Sequence, residues 1–121
     1  MYQEIPFTGQ NCISTRWVYS EKYVDGKRQI KARLVARGFE ETEITQTDSP
    51  TCSKECIRLI FALLISNGWH CSSIDIKSAF LQGKEIEREV FVYPPIEAKS
   101  QNVWKLKKCV YGLADASRYW F

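Results

Sequence analysis

The chain has 121 residues, 45% of them apolar and 26% charged, with a formal net charge of +3. That is enough for one small domain or a piece of a larger one with a packed core, and too little charge to argue for nucleic acid by itself. No run reaches the 18 apolar residues of a membrane span, and Met1-Tyr2-Gln3-Glu4-Ile5-Pro6 lacks the basic and apolar parts of a secretory signal, so the expectation is an intracellular protein, cytoplasmic or nuclear.

In chain order, two strand-like runs flank Asp25-Gly26, a dipeptide that tolerates the positive φ of a tight turn, and residues 15–37 read as a β-hairpin. By the two-residue period, Lys31, Arg33, Val35 and Arg37 share one face, expected to be cationic, and Ile30, Ala32, Leu34 and Ala36 share the other, expected to pack. Five basic residues from Lys27 to Arg37 stand without an acid and are followed at once by Glu40, Glu41 and Glu43. Residues 40–50 are polar, contain Asp48-Ser49-Pro50 and read as a loop.

Ser53 is the expected N-cap of a helix that Asn67-Gly68 closes. Between them almost no polar face remains, which predicts a helix buried nearly all round under something else. Residues 69–76, 89–93 (stopped by Pro94-Pro95) and 103–106 read as strands, and 112–121 as helical without a stop signal. The five cysteines contain no Cys-x-x-Cys pair and are read as reduced thiols. Cys52 and Cys56, near His70-Cys71, match none of the usual zinc spacings.

Asp75, between Ile74 and Ile76, is either a half-solvated acid at a strand end or an oxygen ligand for a hard cation such as Mg²⁺, which takes one or two carboxylates plus a substrate's phosphates.

One resemblance covers nearly the whole chain. The segments Arg16-Trp17-Val18-Tyr19, Lys31-Ala32-Arg33-Leu34-Val35-Ala36-Arg37-Gly38-Phe39, Ile57-Arg58-Leu59, Ile74-Asp75-Ile76-Lys77-Ser78-Ala79-Phe80-Leu81-Gln82-Gly83 and Val90-Phe91-Val92 occur in that order. They end in Lys105-Leu106-Lys107-Lys108-Cys109-Val110-Tyr111-Gly112-Leu113, with Arg118 and Trp120 beyond. In this order and spacing the chain resembles the reverse transcriptase of copia-type retrotransposons, an RNA-directed DNA polymerase.

The resemblance implies an α+β, truncated right-hand polymerase fold: an antiparallel sheet with packed helices, making up the fingers and part of the palm. The fingers hairpin and loop would span 13–52, a helix and palm strands 53–93, and a fingers-to-palm return, cut short, 103–121. It implies Asp75 as a catalytic carboxylate binding Mg²⁺ with the carbonyl of Ile76, in a two-metal transfer to a primer 3′-OH. Lys31 and Arg33 would reach the triphosphate, Phe80 would pack under the sugar and exclude a 2′-OH, and Tyr111-Gly112 would lie beside nucleotide and template base. Arg37, Lys105, Lys107 and Lys108 would track the nucleic-acid backbone. Against these stand plainer readings: a solvated hairpin face, a core aromatic, a helix-entry turn and a basic surface edge. The implied partners are an RNA or DNA template-primer and a deoxynucleoside triphosphate, with no membrane; oligomeric state is left open.

The match departs from the family in places. The 121 residues contain no Tyr-x-Asp-Asp turn, so one carboxylate stands where three are expected, and the chain alone is expected neither to hold two Mg²⁺ nor to polymerise. Ala114-Asp115-Ala116-Ser117-Arg118 replaces the family's Lys-Gln-Ala-Pro-Arg, which is expected to put an acid near the nucleotide. The alternatives are a non-catalytic basic module that binds RNA or an intact polymerase, and an unselected transposon remnant.

Overall fold

The structure is a computed structural model that describes residues 1–43 and 47–121. Its strands are β1 (Tyr2–Ile5), β2 (Cys12–Ile13), β3 (Thr15–Val24), β4 (Lys27–Ala36), β5 (Phe91–Val92) and β6 (Val103–Leu106), and its α-helices α1 (Lys54–Asn67), α2 (Ala79–Gln82) and α3 (Ala116–Trp120). This is a mixed α+β chain in which antiparallel pairing predominates. Four strands form one sheet in the order β1-β6-β5-β2, antiparallel at β1–β6 and β6–β5 and parallel at β5–β2. Among the described residues no helix is long and apolar enough to cross a membrane.

The hairpin is the longest regular element. Asp25 and Gly26 both take positive φ, 50° and 74°, the twist that a two-residue turn needs to match its strands. β3 and β4 then pair from Val24↔Lys27 down to Thr15↔Ala36. The register puts Arg16, Lys22, Lys27, Lys31 and Arg33 on one face with no acid among them. The opposite face carries Trp17, Tyr19, Tyr23, Ile30 and Leu34. That face packs only near its base, where Ala36 is buried and Leu34 half-buried, while Ile30 at 67% and Tyr23 at 73% stay exposed. The hairpin projects beyond the core, so its outer half finds nothing to pack against.

The core forms where the four-stranded sheet meets the base of β4 and the segment leading into α3, with Val92, Val103 and Cys109 the largest fully buried side chains. Tyr2 stacks on Trp104 at 4.1 Å and Trp104 donates to Glu4, fastening β1 to β6 through side chains as well as the ladder.

α1 begins and ends where its sequence requires. Ser53 Oγ accepts from Cys56 N at 3.2 Å, and Gly68 takes the left-handed conformation while Trp69 N donates to Leu64 O. Yet no residue of α1 is buried. The expected all-round burial is not seen, because none of the described elements lies over it. The strand expected at 69–76 is also absent: that stretch is irregular and exposed, since no neighbouring strand offers it a ladder. The strand expected at 103–106 is found as Val103–Leu106, the one at 89–93 is reduced to Phe91–Val92, and the helix in 112–121 begins only at Ala116. The loop expected over 40–50 includes 44–46, which lie outside the described residues; its first residue closes the short 3-10 turn Gly38–Glu40.

Gly112 has φ +95°, and a Cβ there would sit 2.0 Å from Ala36 O, whereas Gly68, also at positive φ, faces open space. Gly68→Ala should therefore cost only about 1 kcal/mol of helix-cap strain, and Gly112→Ala about 3 kcal/mol or more, because backbone must move. Urea melts of the two variants measure this; equal losses would refute the close packing at Gly112.

Candidate functional site

Backbone hydrogen bonds join the base of the hairpin to the segment before α3. Val35 bridges Tyr111 in parallel, Ala36 N donates to Tyr111 O at 2.8 Å, and Gly38 N donates to Gly112 O at 3.2 Å. A Cβ on Gly38 would lie 2.2 Å from Gly112 O, so both chains come within reach only because both residues lack one.

This junction sets the side chains above it. Arg33, two residues up the strand from Val35 and on its face, holds its guanidinium 5.9 Å from the Tyr111 ring centre. Phe80, on α2, meets the same ring edge-on at 5.0 Å and 63°. Beside them opens a hollow of about 210 Å³ whose walls include Lys31, Arg33, Ser78, Leu81 and Tyr111. Of the residues that the resemblance implied as nucleotide-binding, Lys31, Arg33 and Tyr111 line this hollow, Phe80 meets the Tyr111 ring from outside it, and Gly112 follows Tyr111 in the chain. Two cations beside paired aromatic rings can receive an anionic ligand that carries a flat ring.

The other implied residues are placed elsewhere. Asp75 and Ile76 are exposed in the irregular 69–76 stretch and do not line the hollow. Among the described residues no group of three His, Cys, Asp or Glu side chains is arranged to hold a metal ion. Cys52, Cys56 and Cys71 are exposed free thiols. Lys105 pairs with Glu89 and lies 5.8 Å from the Phe91 ring centre, so its charge is already engaged. Arg37 Nη1 is 3.8 Å from Glu40, which in turn accepts from Ser14 N and Oγ at 2.7 Å each. Those Ser14 bonds, backbone first, hold the Glu40 carboxyl below its ordinary pKa. Lys107 is exposed and Lys108 half-buried, its backbone bridging Glu85.

Asp115 corrects an expectation. Its carboxylate is 2% exposed as a residue and accepts two bonds from Arg88, at 2.7 and 3.0 Å; it does not line that hollow. Glu41 Oε2 lies 2.6 Å from Arg88 Nη2, an ion pair by distance but off the line a hydrogen bond needs. Burial alone would lower the Arg88 pKa, but the hydrogen bonds and charge of Asp115, followed by the charge of Glu41, outweigh it and hold the guanidinium above its usual range. Cys109 beside this group is fully buried, and burial, then the Asp115 charge, push its thiol up to about 12. Sequence reasoning missed this trio: Arg88 sits among Glu85, Glu87 and Glu89 and reads as a surface cation. Its one local signal is the buried Val90 two positions on.

The match to known proteins follows the same segments. Residues 4–121 match the family model described as reverse transcriptase (RNA-dependent DNA polymerase). The chain belongs to that family. It is 33% identical over 117 residues to the retrovirus-related Pol polyprotein from transposon RE1 of Arabidopsis thaliana, covering 90% of this chain and 8% of that polyprotein. It is 34% identical over 128 residues to the corresponding polyprotein from transposon TNT 1-94 of Nicotiana tabacum, covering 98% of this chain and 9% of the relative. A truncated transposon Ty1-A Gag-Pol polyprotein of Saccharomyces cerevisiae is 29% identical over 92% of this chain and 11% of its own length. The chain is thus similar to one segment of retrotransposon Pol polyproteins, in a family of nucleic-acid-templated, generally metal-dependent nucleotidyl transfer. No solved structure matches.

The buried thiol gives a direct check on this packing. With thiol reagent at pH 8, Cys52, Cys56 and Cys71 should react at once and Cys109 only after unfolding. Because the Cys109 thiol ionises more readily in the unfolded chain, the stability tied to it is intact below pH 9.0 and is lost as pH rises toward about 12. A Cys109 that reacts at the rate of the exposed thiols would overturn the placement.

Proposed function

We propose that these residues form the fingers and the first part of the palm of a copia-type RNA-directed DNA polymerase, one portion of a right-hand fold. In this reading 13–52 is the fingers hairpin and loop, 53–93 the helix and palm segment that carries Asp75, and 103–121 the return toward the fingers. The observation that carries it is one hollow lined by Lys31, Arg33 and Tyr111, with Phe80 edge-on to the Tyr111 ring and Gly112 next to it in the chain, in a family that acts on nucleic acid. Lys31 and Arg33 take the phosphates of a nucleoside triphosphate, Tyr111 and Phe80 flank its sugar and base, and Gly112 lets the backbone come close.

The template-primer is held by charge. Residues 15–36 carry six cations against two acids, a net +4 that exceeds the +3 of the whole chain. Arg37, Lys107 and Lys108 extend this field, with Lys105 joining only when it leaves Glu89.

The metal requirement is not met by these residues alone. Asp75 with the Ile76 carbonyl offers one carboxylate, which does not fit two Mg²⁺ ions. Asp75 serves as one ligand of a site that needs further carboxylates, which the described residues do not bring to it. The same charge distribution favours a second reading, in which the chain binds RNA without catalysis.

Filter binding of single-stranded RNA across a salt series tests the electrostatic claim. Affinity should fall steeply with salt, and Lys31→Ala with Arg33→Ala should reduce the log–log slope by about 1 for each phosphate that is no longer neutralised; a flat response would remove it. Primer extension with Mg²⁺ or Mn²⁺ separates the readings of activity. The 121-residue chain should add no nucleotide, and templated incorporation would show that the single-carboxylate argument is wrong.

A further inference from the structure

The junction at the base of the hairpin places Tyr111, but part of what surrounds that ring comes from another segment. Ser78 and Leu81 stand in the wall of the hollow and Phe80 meets the Tyr111 ring, and all three belong to α2 or its N-cap. α2 has four residues, too few to hold a helix by its own hydrogen bonds. The bonds on its upstream side are local, Leu81 N to Ser78 O and Gln82 Nε2 to Lys77 O, and beyond them lies the irregular, exposed 69–76 stretch.

The downstream side is fastened. Lys84 N donates to Tyr119 O at 3.0 Å, Ile86 N to Lys107 O at 2.9 Å and Glu87 N to the Tyr119 hydroxyl at 3.3 Å. These bonds tie 84–87 to α3 and to the residue after β6, and Tyr119 itself packs on the core. Gly83 makes this seat possible. Its φ of −62° is open to any residue, so conformation does not require a glycine there. Space does: a Cβ would lie 2.7 Å from Tyr119 O and 3.2 Å from Trp120 Cα, main-chain atoms that no change of rotamer can move.

We propose that Gly83 is a positioning residue. Seated on the Tyr119 carbonyl, it fixes α2, and through α2 both the Ser78 and Leu81 wall of the hollow and the edge of Phe80 against Tyr111. Gly83 itself does not line the hollow. Its bearing on nucleotide binding rests on the reading of the hollow as a triphosphate site, while its bearing on the ring pair does not.

The test is NMR spectroscopy of the 121-residue chain as wild type, Gly83→Ala and Phe80→Ala, following amide and tyrosine-ring signals. In Gly83→Ala the Tyr111 ring protons should move toward their positions in Phe80→Ala, because the edge-on ring no longer stands at 5.0 Å, while the amides of the Asp25-Gly26 turn stay in place. Titrated with dATP, the wild type should give saturable shifts at Lys31, Arg33 and Tyr111 in the millimolar range, about tenfold weaker in Gly83→Ala. A lower melting temperature with Tyr111 ring signals and dATP binding unchanged is what a merely structural glycine gives, and it would overturn the proposal. A wild type that does not bind dATP removes the triphosphate reading and leaves the ring signals to decide the role of Gly83. If circular dichroism shows that Gly83→Ala does not fold, amide exchange in the wild type decides instead. The Lys84 N–H should exchange as slowly as that of Ala36 and at least about a hundredfold more slowly than those of 70–77. A Lys84 N–H as fast as its upstream neighbours would show that α2 has no seat on α3.

Discussion

The molecule turns on one close approach of backbone to backbone, where Gly38 and Gly112 let the end of the hairpin lie against the Tyr111-Gly112 turn. With a Cβ on either residue the gap would be near 2 Å, half of an ordinary contact distance, so the junction is available to no other residue type without moving main chain. Because the junction consists of hydrogen bonds between fixed peptide groups, it sets the hairpin's direction more firmly than side-chain packing would. Arg33 comes over Tyr111, and Phe80 against it, as a consequence. The outer half of the hairpin, held only at its root, can project with its aromatic face uncovered.

A second set of bonds clamps the same junction from below. Glu41 follows Gly38 by one turn of chain, Asp115 follows Gly112 by the same interval, and Arg88 from a third segment binds both carboxylates. Its contribution is orientation more than net stability: bringing three charges out of water costs about as much as their attraction returns, while losing the central one would strand two acids. The exposed cations of the hairpin obey the opposite logic. Arg28 pairs with Glu21 and Arg33 lies against Tyr111, and such exposed contacts are worth little singly, yet together the cations make a field that acts over several ångströms on a polyanion. One chain thus uses charge in two ways, inside to fix the relation of segments and outside to attract.

Local rules are enough to read the hairpin and α1 in the sequence. Asp25-Gly26 sets the turn, period two assigns the faces, and Ser53 and Gly68 bound the helix, since turn, pleat and cap all depend on residues within a few positions of each other. The hollow beside Tyr111 is legible only through resemblance, because nothing local says that Arg33 and Tyr111 meet. The Arg88 trio is legible in neither way. Its members are drawn from three separate segments, and an arginine among glutamates has the local signature of a solvated surface. The expectation for Asp115 fails for the same reason: nearness in sequence to Tyr111-Gly112 is not nearness to a ligand, because the turn at Gly112 carries the chain away and into the core.

The missing strand at 69–76 and the uncovered α1 have a single cause. A helix of 14 residues is marginal in water, and caps add about 1 kcal/mol each, so α1 depends on burying an apolar surface that includes Leu59, Phe61 and Ile65. A strand is more dependent still, since its backbone groups are paired only if another strand lies alongside. Trp69 N closes the C-terminal cap of α1, so the following segment is directed by the helix, and Ile74 and Ile76 on either side of Asp75 remain exposed with it. Whatever covers α1 therefore also decides whether 69–76 becomes a strand, and hence where the Asp75 carboxylate points. The hollow beside Lys31, Arg33 and Tyr111 is fixed by contacts within these residues, while the direction of the Asp75 carboxylate depends on how the apolar surface of α1 is buried.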